Sequence, residues 1–371
     1  MLYFDHAATT PVAPTVLDAM WPYFAERFGN PSSLHHLGVD ASAAVQRVRR
    51  ILAEHTASRP DDWIFTSGGT EANALALRGT LGGRRRRLVL SAIEHPSVAE
   101  QGRYLAGRGI ELEVLQVDGD GRIDLEAVER LESAPDLISV MLANNVSGTI
   151  QPIDELVALV RERWPRCLIH CDAVQALAKI PLSIDALGVD LLSLSAHKIC
   201  GPKGVGALYR RPGLQLNPLA IGGGQQGNQR SGTENVPGIV GFGAALELEW
   251  PVEATRRRRD RLWEGLASAI DGIRRIGAPQ HTLPGHLLVD FGPLPAQTLL
   301  HHLEEAGILA SSGSACSSNK NQRDPVLGAL GIATNHAVIR FSLGGENDDA
   351  SIGAAIELIP PQVERIRALG L

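Results

Sequence analysis

Between Trp63 and Ser195, short apolar runs of strand length alternate with segments of helical apolar spacing, and this alternation limits the fold more than any other feature. "DWIFTS" reads as a strand running into the turn and helix of "GGTEANALALRGTL". "RLVLSA", "ELEVLQV", "LISVMLA", "CLIHCD" and "DLLSLS" read as further strands. In "DELVALVRERW" the apolar positions 156, 157, 159 and 160 fall at helical spacing, and Asp154 is placed to cap that helix. Such alternation predicts an α/β domain around a mostly parallel sheet. Ligands of these sheets lie beyond the carboxyl ends of the strands. Five polar clusters fall at predicted strand ends: Ser67 to Thr70, Glu94 with His95, Asn144 with Asn145, Asp172, and Ser195 to Lys198. Together they predict a site along one edge.

After Trp250 and Pro251 the texture changes. "EATRRRRDRLWEGLASAI" reads as a long exposed helix, and the remainder mixes strands and helices as a smaller second domain would. The runs Arg84 to Arg87 and Arg256 to Arg259 read as solvated faces. The formal net charge is -6 and no aromatic residues interleave the arginines, so no direct nucleic-acid contact is expected. Four cysteines in 371 residues do not make a disulfide framework. "CLIHC" raises a metal site, but strand alternation turns His170 away from Cys167 and Cys171, which favours buried packing and no metal. No basic segment with an apolar core opens the chain, and no apolar run reaches membrane-spanning length. The expectation is a cytoplasmic protein with free thiols and no membrane partner.

The strand-end residues suggest a chemistry. Gly68, Gly69 and Thr70 join a strand to a helix, where free N–H groups and the helix dipole suit a phosphate; a plain glycine turn with Thr70 as cap is the alternative. Asp172 ends a buried strand and needs a partner, either a backbone cap or a protonated ring nitrogen. Lys198 lies 26 positions later, at another strand end, where burial would make it a nucleophilic amine. A phosphate cradle, a carboxylate for a pyridinium and an amine for an aldehyde are together what pyridoxal 5′-phosphate requires. His95 is placed to stack on a flat ring, and Ser195 and His197 to donate to the phosphate.

With "YFDHAATTPV", "FGNPSSLHHLG", "FTSGGTEANALAL", "EHPSV", "HCDAVQALAKIP", "LSLSAHKICGPKGVGALY", "RSGTENVPGIVG", "SSGSACSS" and "IRFSLG", the chain resembles the NifS/IscS-like cysteine desulfurases, in the class V branch of the pyridoxal-phosphate-dependent aminotransferases. The resemblance implies pyridoxal-phosphate fold type I: a large α/β domain, 13–249, with a mostly parallel seven-stranded sheet, and a smaller α/β domain of 1–12 and 250–371. It implies that Lys198 binds the cofactor aldehyde, Asp172 pairs with the ring nitrogen, Gln175 reaches the ring hydroxyl and His95 stacks on the ring. Gly69, Thr70, Ser195 and His197 would hold the phosphate, and Thr233 would reach that of a neighbouring subunit in a homodimer. Asn145 would face cofactor and substrate, and Arg340 would bind the substrate carboxylate.

The implied reaction converts L-cysteine to L-alanine and leaves a persulfide on Cys316, carried on a mobile loop at about 311–325. Lys198 would move the Cα proton and His95 the thiol proton, its ordinary pKa suiting that task near neutral pH. The sulfur would pass to an acceptor or to an iron–sulfur scaffold protein. A transaminase or a selenocysteine/cysteine lyase is the alternative within the same cofactor class, and a non-catalytic sulfur carrier the alternative outside it. One departure stands out: "NNVSG" has Val146 where many relatives carry an acid.

Overall fold

The computed structural model describes residues 1–313 and 324–369. Seven strands form the main sheet: β2 (Trp63–Thr66), β3 (Arg87–Ser91), β4 (Glu111–Leu115), β5 (Leu137–Ser139), β6 (Leu168–Asp172), β7 (Leu191–Ser195) and β8 (Gly206–Arg210), with β1 (Leu2–Tyr3) lying elsewhere. The order across the sheet is β2-β8-β7-β6-β5-β3-β4. Only β8 runs against its neighbours, antiparallel to both β7 and β2. The other six strands therefore point the same way, and all five polar clusters lie at their carboxyl edge.

Both faces of the inner strands are covered, which is why they read as apolar runs, whereas the edge strand β4 alternates charged and apolar residues and is partly exposed. Val89, Ile138, Ile169, Cys171, Leu192 and Leu194 pack into one apolar cluster. Leu88, Leu90, Leu137, Leu168, Leu191 and Leu208 pack into a second one on the opposite face. His170 is fully buried within the sheet, between Ser139 Oγ at 2.7 Å and Ser193 Oγ at 3.0 Å. Cys167 and Cys171 sit in the apolar cluster, as their alternation with His170 implies.

A three-stranded antiparallel sheet follows, with β9 (Arg274–Ile276), β10 (His286–Asp290) and β12 (Val338–Ser342) in the order β12-β10-β9. β1 pairs in parallel with β11 (Ile308–Leu309). The helices Val252–Ala269, Ala296–Glu305 and Asp349–Ala368 complete this region, whose apolar cluster holds Phe4, Leu262, Leu287, Phe341 and Ile352. The first residues thread between two strands far along the chain: Phe4 N donates to Leu309 O at 2.8 Å, and Ser342 N donates to Phe4 O at 2.7 Å. Full burial of the Phe4 side chain contributes roughly 2–3 kcal/mol. It fixes residues 5–10 across the carboxyl edge of the main sheet.

Several local expectations need correction. Asp154 does not cap its helix; Pro152 holds that position, and Asp154 and Glu155 lie in the first turn, where they favour the positive helix end. The helix after β2 begins at Gly69 with Gly68 before it, so Thr70 is inside the first turn rather than the cap. Neither arginine run is wholly solvated. Arg87 is buried and pairs with Glu113 at 2.6 Å and Glu111 at 3.4 Å on the adjacent strand. Arg259 is buried on the long helix and donates to Leu283 O at 3.1 Å while pairing with Asp260.

Candidate active site

A cleft of about 270 Å³ opens at the carboxyl edge of the main sheet. Gly69, Thr70, His95, Asn145, Asp172, Gln175, Ser195, His197, Lys198 and Arg340 all line it, although they come from positions up to 271 residues apart (340 minus 69). Thr233 is exposed and does not line it. Cys316 lies outside the described residues, as does most of the predicted loop.

The turn from β2 into the helix Gly69–Thr80 is built by close backbone approach. Gly68 has φ +151°, a region that disfavours side chains. Gly206 begins β8 between Thr66 and Ser195 in register. A Cβ there would stand 2.7 Å from the Gly68 backbone and 2.6 Å from Leu194 O. These glycines let the turn fold down onto the sheet edge. Beside it a second recess, lined by Thr9, Thr70, Ser195, His197 and Lys203, continues the cleft. Ser195 Oγ is buried there without a hydrogen-bond partner among the described residues.

Asp172 ends β6 and is 4% exposed. Its Oδ1 accepts from Val174 N at 3.0 Å, and its Oδ2 accepts from Asn73 Nδ2 at 2.7 Å. The same Asn73 amide donates to Ser97 Oγ at 2.8 Å, which lies 2.7 Å from His95 Nδ1. One chain of contacts thus orients carboxylate and imidazole together. Burial lowers the His95 pKa, Asp172 raises it and Lys198 lowers it, with a net fall below the ordinary 6.5. The expectation of an ordinary pKa is corrected accordingly, and the Ser97 backbone N–H, donating to His95 Nδ1 at 3.1 Å, fixes the ring's orientation. His197 falls to about 4, through burial first and the neighbouring Lys198 second.

Lys198 stands on a short turn after β7. Its Nζ donates to the backbone oxygens of Ala7 at 2.7 Å and Ala8 at 2.6 Å. Gln175 Nε2 shares the Ala7 oxygen at 2.9 Å. Arg340, on β12, donates to Asn145 O at 2.7 Å and Asp5 Oδ1 at 2.5 Å. Its Nε and Asn145 Oδ1 are buried without partners among the described residues.

The residues fit pyridoxal phosphate on this geometry. A fixed carboxylate, an amine, an orphaned hydroxyl beside a glycine turn and a guanidinium converge on one cleft. Sequence reasoning missed Asn73, Ser97 and the Ala7 and Ala8 carbonyls. The polar Asn73 inside the otherwise small and apolar helix "EANALAL" was the available signal. Val146 is buried with Ile93, Met141 and Val326 and does not line the cleft, so an acid there would meet apolar neighbours.

Residues 2–354 match the family model described as Aminotransferase class-V, a family of pyridoxal-phosphate enzymes. The chain is 38% identical over 379 residues to a protein named cysteine desulfurase IscS from Dictyoglomus turgidum, covering 99% of this chain and 96% of that one. It is 40% identical over 386 residues to cysteine desulfurase IscS 1 of Archaeoglobus fulgidus, covering 100% and 98%. Among solved structures, a NifS-like protein superposes with a TM-score of 0.90 at 35% identity and covers 99% of both chains. A structure titled SspA in complex with cysteine superposes at 0.84 with 33% identity, covering 93% of this chain and 99% of that one. The chain belongs to the class-V aminotransferase family, with the NifS/IscS-like cysteine desulfurases.

Proposed function

We propose that this protein is a pyridoxal-phosphate-dependent cysteine desulfurase that converts L-cysteine and the Cys316 thiol into L-alanine and a Cys316 persulfide. The observation that carries the reading is the convergence of Lys198, Asp172 and the unpartnered Ser195 hydroxyl on one cleft, in a chain with whole-length likeness to proteins named cysteine desulfurase. The carbon–sulfur bond of cysteine breaks and a sulfur–sulfur bond forms. A proton ends on the former sulfur-bearing carbon. Carbon is reduced as sulfur is oxidised, so no outside electron carrier is needed.

When bound, pyridoxal phosphate supplies an aldehyde for amines and a ring that accepts electron density. Asp172, aimed by Asn73 and Val174 N, holds the proton of the ring nitrogen. Lys198 holds the aldehyde and moves the proton at the substrate Cα. Gly69, Thr70, Ser195 and His197 hold the phosphate, and Thr233 serves the neighbouring subunit's. His95 covers the ring face, and the Ser97 backbone N–H donates to its Nδ1 at 3.1 Å, which places the neutral ring's hydrogen on Nε2 as a donor. Arg340 and Asn145 hold the substrate carboxylate.

A homodimer is part of this reading. Trp21, Phe24, Phe28 and Leu34 are exposed close together in the chain, as an interface would require. So is a division into units of 13–249 and of 1–12 with 250–371, which the apolar cluster that joins Phe4 to Leu262, Leu287 and Phe341 supports. The sulfur passes to an acceptor protein of iron–sulfur assembly or thiolation. Among the described residues no helix is long and apolar enough to cross a membrane; a cytoplasmic location fits the free, buried Cys167 and Cys171.

Incubation with L-cysteine tests the reading, with alanine and protein-bound persulfide both measured. Equal initial yields are expected, and Cys316→Ala should form no persulfide. Turnover of cysteine that Cys316→Ala leaves unchanged would instead indicate a lyase, and no turnover would end the proposal.

A further inference from the structure

Behind the cleft lies a second, smaller cavity with about 30 Å³ open to water centres, enough for one or two molecules. Ala7 lines both spaces. The inner one is lined also by His6, Lys179, Trp250 and His286. Three of its polar atoms, His6 Nε2, Trp250 Nε1 and His286 Nε2, are buried and have no hydrogen-bond partner among the described residues. His6 and His286 are only 4% and 2% exposed. Unpaired buried polar atoms cost free energy, and three around one void call for a shared partner.

Lys179 connects the cavities. Its Nζ donates to Gln175 Oε1 at 3.2 Å, while Gln175 Nε2 donates to Ala7 O at the main cleft. An ammonium can only donate, so the Gln175 oxygen must face Lys179 and its NH2 must face the cleft. An indole N–H likewise only donates, whereas a neutral imidazole offers one acceptor nitrogen. A water taking hydrogen bonds from Lys179 and Trp250 and giving them to His6 and His286 would satisfy all four.

We propose that Lys179 is a positioning residue that locks the Gln175 amide with its NH2 toward the cofactor, anchored from behind by one water held among His6, Trp250 and His286. The proposal rests on the cysteine desulfurase reading for the cofactor itself. Burial holds His6 near a pKa of about 4 and His286 well below its ordinary value, so both imidazoles are neutral acceptors. The charged groups facing Lys179 are Lys198 and Arg340, with the Cys200 thiol nearby; burial and the two cations bring its pKa to about 7. The lock belongs to the ammonium form, which can only donate; the neutral amine formed above that pH also accepts.

The test compares the wild-type holoenzyme with Lys179→Met and Lys179→Arg. Two quantities are read: the pH midpoint of the cofactor's visible absorption band without substrate, and cofactor retention on dialysis. Removing a nearby cation and freeing the Gln175 amide both favour the protonated chromophore. Lys179→Met should therefore raise the midpoint by about one pH unit and weaken retention by about tenfold, while Lys179→Arg stays near wild type. Wild-type values for Lys179→Met would overturn the proposal. Should that variant not fold, a high-resolution crystal structure of the wild-type holoenzyme decides. A water bridging Lys179 Nζ and His6 Nε2 supports the proposal, and a reversed Gln175 amide or no such water overturns it. A wild-type protein that shows no visible band with added pyridoxal phosphate would defeat the underlying reading instead.

Discussion

Arg340 donates to Asp5 Oδ1 at 2.5 Å, joining a strand near the end of the chain to a segment at its beginning. A second bond, to Asn145 O, holds the other arm of the guanidinium. At 2% exposure the group is fixed before substrate arrives, and the unpartnered Nε marks spare donor capacity. A lysine ammonium could not keep both bonds in a planar fork.

Arg340→Lys should therefore raise the KM for L-cysteine by about tenfold or more, a loss of about 1.4 kcal/mol, with a smaller change in kcat. Steady-state alanine formation measures the split. An unchanged KM would remove Arg340 from substrate binding.

Glu94 sets the alkaline limit of stability. Its carboxyl is buried, accepts from Ser91 Oγ at 2.5 Å and Met141 N at 2.8 Å, and has a pKa raised to about 8 by burial, with Asp172 adding to the rise. The unfolded chain loses this proton near 4.5 while the fold keeps it to about 8. The folded-state advantage is whole below 4.5 and falls away as pH rises through that window. Glu94→Gln should be more stable than wild type at pH 8 by roughly 2 kcal/mol, with the gain gone near pH 4.5. Urea midpoints at the two pH values give the answer.

His170 works in the opposite direction. Its pKa drops to about 3 because it is fully buried. The unfolded imidazole takes a proton below about 6.5 and the folded one refuses it. Stability is full above 6.5 and declines as pH falls toward 3, by at most about 1.4 kcal/mol per pH unit for this residue. His6 and His197, both near 4, add to the decline. His170→Gln should flatten the stability profile between pH 6 and 4 in denaturant titrations; a slope as steep as wild type would assign the acid sensitivity elsewhere.

Gly206→Ala tests the packing that shapes the turn. The added methyl meets backbone on two sides, and neither side can rotate away. The expected loss is about 2 kcal/mol of stability, with weaker cofactor retention because the Gly68 turn is pushed off the sheet. Thermal denaturation and dialysis measure the two effects separately.

Six of the seven main-sheet strands were legible, the inner ones because burial on both faces leaves apolar runs, and the cleft because its side chains sit where those runs end; β8, entered at Gly206 straight from a glycine-rich turn, was not singled out. Other features left less trace. Asn73 is one polar residue inside a helix, and only its neighbours in space show that it bridges Asp172 and Ser97. The oxygens holding Lys198 belong to alanines about 190 residues away, and a backbone carbonyl has no signature in sequence. Arg87 looked solvated because its partners, Glu111 and Glu113, lie on a strand whose register only the folded sheet reveals.

The insertion of the first residues between β11 and β12 dictates an order of events during synthesis. Ala7 and Ala8 leave the ribosome well before the strand that clasps their segment, which ends at Ser342. A nascent chain that has completed all seven strands of the main sheet still lacks the clasp that sets those carbonyls against Lys198. Competence therefore waits on the clasp between Phe4 and Ser342, which joins segments made far apart in time.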